Sequence, residues 1–361
     1  MSDTSAVDGG LDYPFLQPAF LRALEDTGAV SPATGWQPLF DLNNSLDNKP
    51  LLPLYLKHHS QGEYVFDHGW AQGYARAGLE YYPKLISAIP YTPVPGPRWR
   101  GFASDPAEAI FEQVLARVEE QGASGWHLLF ADQPSIDALA SLPLIERQAC
   151  HFRWFNRGYT DFDDFLAALM SRKRKNLRRE RARVADQGVR VSRACGTAIS
   201  PLWWQHFYRC YALTYLRRGQ RPYLSAAFFE QLAANMPEHL LMVVAEQDGE
   251  LLAAALYLFD SERLYGRYWG TLRDLDGLHF ELCYYQGIEF AIAQGLREFD
   301  PGVQGEHKLL RGFEPVITRS LHWLSDNRFR QAVADFCAQE ARAVANYRDE
   351  ALGFLPYRRG S

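Results

Sequence analysis

The sequence of 361 residues contains no run of about 18 apolar residues, the length a membrane-crossing helix needs. Its opening, MSDTSAVDGG, lacks the basic and apolar segments of a secretory signal. Both absences point to a soluble, cytoplasmic protein. Cysteine is scarce: Cys150, Cys195, Cys210, Cys283 and Cys337 stand far apart, with no CxxC pair and no histidine at ligand spacing. A disulfide framework and a zinc module are thereby excluded, and no metal is expected. There is no Walker sequence and no G-x-S-x-G elbow, so P-loop and α/β-hydrolase chemistry lose their usual supports. The R/Q-x-x-G-x-G/A turn that grips the pyrophosphate of a CoA donor is also not visible.

What is present describes an ordinary globular chain: 47% hydrophobic, 14% aromatic and 22% charged. The net charge is −5, so a long basic run within it is a local exception. That run, SRKRKNLRRERARV, gathers Arg172, Lys173, Arg174, Lys175, Arg178, Arg179, Arg181 and Arg183 around Glu180. With nothing else basic enough to extend the tract, a DNA partner or a general RNA coat is not expected. Phe162, Phe165, Leu166, Leu169, Met170, Leu177 and Val184 form an apolar stripe through it, interrupted at Lys173 and Glu180. Thr160 and Asp163 supply a capping signature, and acids precede bases as the helix dipole favours. One long junction helix follows from this pattern, its inner stripe on a core and part of its charged face near an anionic ligand.

The length suits two domains or one large compact unit. QPAFLRALEDTG reads as a helix closed by Gly28, GWQPLFDL and PLLPLYLK as a hairpin across the polar NNSLDNK, and HGWAQGYARAG as a second helix. YYPKLISAIPYTPVPGPRWR is too rich in proline for a central strand. DPAEAIFEQVLARVEEQG is an amphipathic helix with Pro106 in its first turn and Gly122 beyond its end; WHLLF and RQACHFRWFNR are strands. After the basic helix come two helices, ISPLWWQHFYRCYALTYLRRG and SAAFFEQLAANM. A hairpin turning at Asp248-Gly249 and the strand RLYGRYWG follow. LHFELCYYQGIEFAIAQGL is a long helix, and REFDPG a short strand entering the loop VQGEHKLLRGFEPV. The strand RSLHWL precedes a terminal helix near Asn327–Tyr347. Each half thus reads as mixed α/β, with domains at 1–159 and 160–361.

Chemistry concentrates in GVQGEHKLLRGFEP, where Gly302, Gly305 and Gly312 permit close backbone approach and Glu306, His307, Lys308 and Arg311 crowd acid, base and cations after a buried strand. The competing view is a solvated loop pairing surface acids. YLKHHSQGEYVFDHGW offers Lys57, His58, His59, Ser60, Glu63 and Asp67; adjacent histidines on a strand face opposite ways, which disfavours one shared metal. The proline-stiffened loop carries Lys84 and Arg98, cations suited to a phosphate or carboxylate, or else a surface crossing.

LYLKHHSQGEYVFDHGWA, YYPKLISAIPYTPVPGPR, SRKRKNLRRER, LHFELCYYQGIEFAI and GVQGEHKLLRGFEPVITRSLHW together resemble the bacterial FemAB-like predicted N-acyltransferases, associated with peptidoglycan biosynthesis or recognition, from about Pro14 to Leu324. The resemblance implies α/β architecture: tandem GNAT-like acyltransferase domains with mixed central sheets. It also implies transfer of an acyl or aminoacyl group to an amine. Acyl-CoA or aminoacyl-tRNA would be co-substrate, with no tightly bound cofactor, and a small-molecule or peptide amine, such as a cell-wall precursor, would be acceptor. Fem relatives lack a CoA pyrophosphate loop, as here, and their basic helix implies that Arg174, Arg178 and Arg179 face tRNA or another phosphorylated ligand. Lys308 falls where the family carries a lysine in its last conserved loop. The KHHSQGEYVFD and YTPVPGPR motifs depart from the Fem ligases proper.

Acyl transfer needs a neutral amine, an acceptor for its proton and charge stabilisation of the oxyanion. Lys308, with Arg311, is expected to provide the last, and Glu306 or His307 to handle the proton. Lys57, His58, Glu63, Tyr82, Lys84, Arg98, Tyr268, Trp269 and Arg311 are the expected substrate-binding residues. The alternative is a non-catalytic protein that keeps the fold and binds RNA or a glycan through the basic helix.

Overall fold

The computed structural model describes residues 12–42, 50–102, 106–303 and 305–358; the leader MSDTSAVDGG and the polar NNSLDNK connector lie outside them. Two compact units emerge, Met1–Cys150 with Ile317–Tyr347, and His151–Val316 with Arg348–Ser361. The division is therefore not the sequential one at 159/160, because a late strand and most of the last helix return to the first unit.

In the first unit, α1 (Pro18–Asp26) ends before Gly28 at φ +71°. The hairpin strands β1 (Gln37–Pro38) and β2 (Tyr55–Lys57) pair antiparallel, and α2 (His68–Arg76) follows. The proline-rich segment does contain a central strand, β3 (Lys84–Ser87), contrary to expectation. Pro83 and Pro90 flank it instead of interrupting it, so every residue of the strand keeps its amide donor; it runs antiparallel to β2 and parallel to β4 (Gly125–Ala131). Between them α3 (Ala107–Gln121) presents Ile110, Val114 and Val118 at helical spacing to Leu85, Trp126 and Leu128. Pro106 is its N-cap residue, and Gly122 closes it at φ +58°. Next come α4 (Gln133–Ala138), capped by Asp132, and β5 (Ile145–Phe155), which carries the chain into the second unit.

The predicted junction helix is two helices. α5 (Phe162–Ala168) is capped by Asp161, whose carboxylate accepts from the Asp164 amide at 2.8 Å, so the cap is neither Thr160 nor Asp163. At Leu169 the backbone is extended and bridges to Tyr357, and the Met170 amide donates to the Pro356 carbonyl at 2.8 Å. This pairing with the C-terminal segment uses backbone groups a continuous helix would have consumed. The basic α6 (Ser171–Asp186) then starts afresh, burying Leu177 and Val184 while Met170 is exposed.

The sheet of this unit continues through β6 (Arg190–Cys195); α7 (Pro201–Leu216) and α8 (Ala226–Asn235) precede β7 (Leu240–Gln247), β8 (Glu250–Phe259) and β9 (Arg263–Thr271). Asp248 and Gly249 both have positive φ, the turn their dipeptide predicts. α9 (Leu278–Phe280) runs through a π-helical turn, Glu281–Tyr285, into α10 (Gln286–Ala293). A π turn detaches a carbonyl from the helical ladder, and here the Tyr257 hydroxyl donates to that of Leu282. β10 (Glu298–Asp300) lies antiparallel to β5 and parallel to β9, giving the order β5-β10-β9-β8-β7-β6. β11 (Glu314–Leu324) leads the chain back and completes the order β1-β2-β3-β4-β11 in the first unit, followed by α11 (Asn327–Leu352).

Candidate active site

β10 pairs with β9 only through Glu298↔Arg263, Phe299↔Leu264 and Asp300↔Tyr265. Pro301 has no amide to continue the ladder, and Gly302 turns away at φ +87°. β9 nevertheless continues to Thr271 against β8, so the two parallel strands part and leave a notch beginning at Gly266. The register shift that matches Gly266 with Tyr257 but Tyr268 with Leu256 makes Arg267 a bulged residue at that point.

A 3-10 turn, Glu306–Arg311, follows the end of β10 and is tied back to it through Lys308. It is wound tightly because Gly305 adopts φ +105°, where an added Cβ would lie 2.1 Å from His307 Cε1. Lys308 is buried, 1% exposed, and donates to the Gly302 carbonyl at 2.5 Å, which fixes its ammonium where β10 ends. Burial lowers its pKa to about 8, with Asp300 and Cys283 opposing the shift. The cation is thus held without a salt bridge among the described groups, a costly placement that structure alone does not require.

Arg311 is directed differently. It stacks over the Phe280 ring at 3.4 Å, donates to the His307 carbonyl at 2.8 Å and pairs with Glu180 of α6 at 2.8 Å. It and Glu180 therefore brace the turn against the basic helix. The His307 ring lies beside Phe280 and Tyr284, with Nε2 2.8 Å from the Tyr284 hydroxyl. Burial, then Arg311 and Lys308, hold His307 below its usual pKa; burial, then the same loop, takes His279 down to about 4. Both imidazoles are neutral at pH 7. His279 packs on Trp269 at 5.2 Å, which places Trp269 in this aromatic nest. Tyr268, one residue earlier on the strand, points to the opposite side and is buried between Tyr211 and Phe229. It packs a core there and does not line the notch. Glu306 is exposed at the head of the turn.

The basic α6 is also sorted by its contacts. Arg181 forms a two-pronged pair with Glu281 and reaches Glu289, fastening the helix to the π turn. Arg178 pairs with Asp163 and Arg183 with Asp276. Ser171, Arg174, Lys175, Arg178, Arg179 and Ala182 line a shallow depression of about 430 Å³ on its outer face.

In the first unit, Lys57, Glu63, Tyr82 and Lys84 come together, while His58 is exposed. Lys84 is wholly buried and donates to Glu63 at 2.8 Å, to Ser60 at 2.8 Å and to Asp67. Asp67 also accepts from Ser60 and from Tyr81, each at 2.6 Å. Burial opposes ionisation of Asp67, but Lys84 and the hydrogen bonds from Lys84 and Ser60 hold its carboxyl well below the usual range. Because Asp67 only accepts, the chain behind it has one direction: Ser320 donates to His322, His322 Nδ1 to His127 Nδ1 at 2.7 Å, and His127 to Tyr81. Both histidines are neutral in this order, in keeping with burial that lowers His127 to about 3. Lys84 is consumed by its neighbours and is not a free anion contact.

Arg98 is likewise corrected from ligand contact to loop brace. It is 1% exposed and its guanidinium donates to the carbonyls of Leu129, Gly96, Pro97 and Val94 at 2.6 to 3.1 Å. Arg98→Ala is expected to lower unfolding stability by about 3 kcal/mol or more, since it strands several buried carbonyls. Urea denaturation at low and high salt should give the same loss; a loss only in ligand affinity that fades with salt would return Arg98 to an anion-binding role.

Sequence reasoning missed Tyr284, His279, Phe280, Glu180 and Asp300. A signal was available in LHFELCYYQGIEFAI, whose polar and aromatic residues exceed what a core helix needs, although only the π turn brings Glu281 and Tyr285 to the positions observed. Among the described residues, no group of three or more His, Cys, Asp or Glu is placed to hold a metal ion, and no helix is long and apolar enough to cross a membrane.

Parallel strands that part beside a bulge, followed by the turn that carries Lys308, belong to a mixed sheet flanked by helices, and the chain is a mixed α/β protein. The sequence matches the FemAB-like family, described as peptidoglycan biosynthesis/recognition, over residues 4–359, and the protein belongs to it. Among solved structures, L-PGS from Bacillus licheniformis is similar at 11% identity with a TM-score of 0.52, covering 85% of this chain and 91% of that one. FemX is similar at 11% identity and a TM-score of 0.50, covering 88% and 97%. A tandem GNAT protein from the clavulanic acid biosynthesis pathway matches at 10% identity and a TM-score of 0.40, covering 86% and 97%. No curated protein matches the sequence.

Proposed function

We propose that the protein is an N-acyltransferase that moves an acyl or aminoacyl group from an activated donor, aminoacyl-tRNA or acyl-CoA, to an amine acceptor such as a cell-wall precursor. One observation carries the reading: a buried lysine ammonium, held on the Gly302 carbonyl where β9 and β10 part and without a salt bridge among the described residues. The amine nitrogen attacks the donor carbonyl carbon, and negative charge gathers on its oxygen. Lys308 neutralises that charge in a low-dielectric setting, where it counts most. The amine proton passes to the Tyr284 oxygen as the tyrosine proton passes to His307 Nε2. Collapse of the tetrahedral intermediate expels the donor's ribose oxygen or CoA thiolate, which takes back the proton that His307 received, leaving the imidazole neutral again. His307 is the proton acceptor in this scheme, and Glu306 is not.

The scheme requires a neutral His307 and a charged Lys308. The rate is therefore expected to rise with pH through a value below 6.5 and to fall above about 8. The test is a mass-spectrometric screen for acyl transfer with charged tRNA and acyl-CoA pools across pH; absence of transfer from every donor overturns the proposal. The outer face of α6 favours a polyanionic donor: Arg172, Arg174, Lys175 and Arg179 make no ion pair there among the described residues. With an aminoacyl-tRNA donor, Arg174→Ala and Arg179→Ala should each lower the salt slope of binding by about 1. Steep salt-dependent RNA binding without any transfer would favour the non-catalytic reading.

A further inference from the structure

The break at Leu169 leaves α6 starting on bases instead of acids. Arg172, Lys173 and Arg174 stand in its first turn with no acid among them, against the preference of the helix dipole. Arg174 with Arg178, and Lys175 with Arg179, then repeat at i, i+4, the spacing at which like charges oppose a helix. All four line the depression of about 430 Å³ on the outer face. Arg178 holds Asp163; Arg174, Lys175 and Arg179 make no ion pair among the described residues. Such crowding weakens the helix unless an anion neutralises it.

Beside this depression α6 borders a larger groove, of about 520 Å³. Arg178 and Ala182 line both, so the two spaces adjoin along one helix. The floor of the groove is apolar: Leu166 of α5, Val184 of α6, Val189, and Val191 of β6. Ala182 and Ala185, both exposed, keep its α6 wall low. The charged groups around it are already matched. Arg181 takes Glu281 at 2.8 Å and Glu289 at 2.6 Å while lying over the Phe162 ring at 4.5 Å. Arg193 stands 3.8 Å from Glu289, and Arg178 meets Asp163 at 2.8 Å.

The two spaces restrict an occupant in different ways. Cations without partners in the depression suit an anion that several of them can share, as a phosphate with its three oxygens allows. The groove gives a ligand's charge no counterpart, because every acid lining it already has an arginine. What it offers is apolar surface to be removed from water. Since Arg178 and Ala182 join the spaces, one molecule can fill both. We propose that α6 carries a binding site for a phosphate amphiphile, its phosphate on Arg174, Lys175 and Arg179 and its apolar chain in the groove over Val184, Val189 and Val191. A nucleic acid on the same helix would use the first half and leave the second empty. The site does not depend on the acyl-transfer reading, and its test uses no turnover.

The experiment is calorimetric titration of the full-length protein with n-octyl phosphate below its micelle concentration, beside inorganic phosphate and n-octanol. Octyl phosphate is expected to bind at least tenfold more tightly than either fragment, because linking the two contacts makes the second one intramolecular. Ala185→Phe, at an exposed position that lines the groove and not the depression, should weaken octyl phosphate at least tenfold and leave inorganic phosphate unchanged. Joint Arg174→Ala and Arg179→Ala should weaken both phosphates. Octyl phosphate no tighter than inorganic phosphate overturns the proposal, and so does an Ala185→Phe protein that binds it normally. An equal loss of affinity for a tRNA pool in Ala185→Phe also overturns it, by giving the groove to RNA. Sedimentation with phosphatidylcholine vesicles, with and without phosphatidic acid, separates the sources. Retention that needs the acid and is lost in Ala185→Phe supports a ligand drawn from a bilayer, whereas octyl phosphate binding without retention supports a dispersed one. The comparison of three probes on the unaltered protein decides the matter even if a variant fails to fold.

Discussion

Lys308→Met is expected to slow acyl transfer by about 10²- to 10³-fold, the range for removing one preorganised donor from an oxyanion site, while the protein stays folded. Methionine fills nearly the same volume and removes the ammonium, so packing beneath the turn survives. A separate readout needs no substrate. Burial depresses the Lys308 pKa to about 8, against an ordinary value near 10.4. Between those values the unfolded chain binds the extra proton, so unfolding free energy rises with pH across that window and levels off above it. Lys308→Met should flatten this rise, measured by urea denaturation from pH 7 to pH 10. If the variant turns over the true substrate at the normal rate, the notch is not the reaction site.

Lys84→Met is expected to destabilise the protein by about 3 to 5 kcal/mol, the penalty for removing one partner of a buried charge pair. Here the change strands two carboxylates, Glu63 and Asp67, in a site where neither reaches water. Adding Glu63→Gln and Asp67→Asn to Lys84→Met should recover a large part of the loss, since the triple variant leaves neither carboxylate stranded beside the missing ammonium. The pH dependence has a definite sign. Asp67 is held below its ordinary pKa, so the stability it contributes is complete above about pH 4, the unfolded value, and fades as pH falls through the folded one. In Lys84→Met this acid-side loss should begin at higher pH. Urea midpoints from pH 3 to pH 7 for the three proteins test the account; a Lys84→Met protein as stable as the parent would defeat it.

The sequence conveyed what depends on local chemistry. Helix periodicity located α3 with its closing Gly122, and Asp248-Gly249 marked the hairpin between β7 and β8. Lys308 stood out because acid, base and cations crowd between glycines that only a tight turn needs. Partners brought from far along the chain were not legible. Leu169 continues a helical stripe, and only its bridge to Tyr357 ends the helix there. Arg98 in a proline-rich loop resembles an anion contact until four carbonyls are folded around it. Lys84 looked exposed because the prolines near it suggested a loop, whereas they fence a strand. Tyr268 and Trp269 were treated alike, although strand alternation already separates their two faces.

The return of Ile317–Tyr347 to the first unit also governs how the chain is made. β4 is translated early, but its antiparallel neighbour β11 is translated only after the strands β6 to β10 of the second unit. While the ribosome works through the second unit, the aromatic face of α2 around Trp70 and Tyr74 must wait for Val333 and Cys337 to cover it. The N-terminal unit therefore cannot be completed before the strands of the second unit have been synthesised, and a gene split at 159/160 would encode two fragments that each lack a strand or helix held by the other.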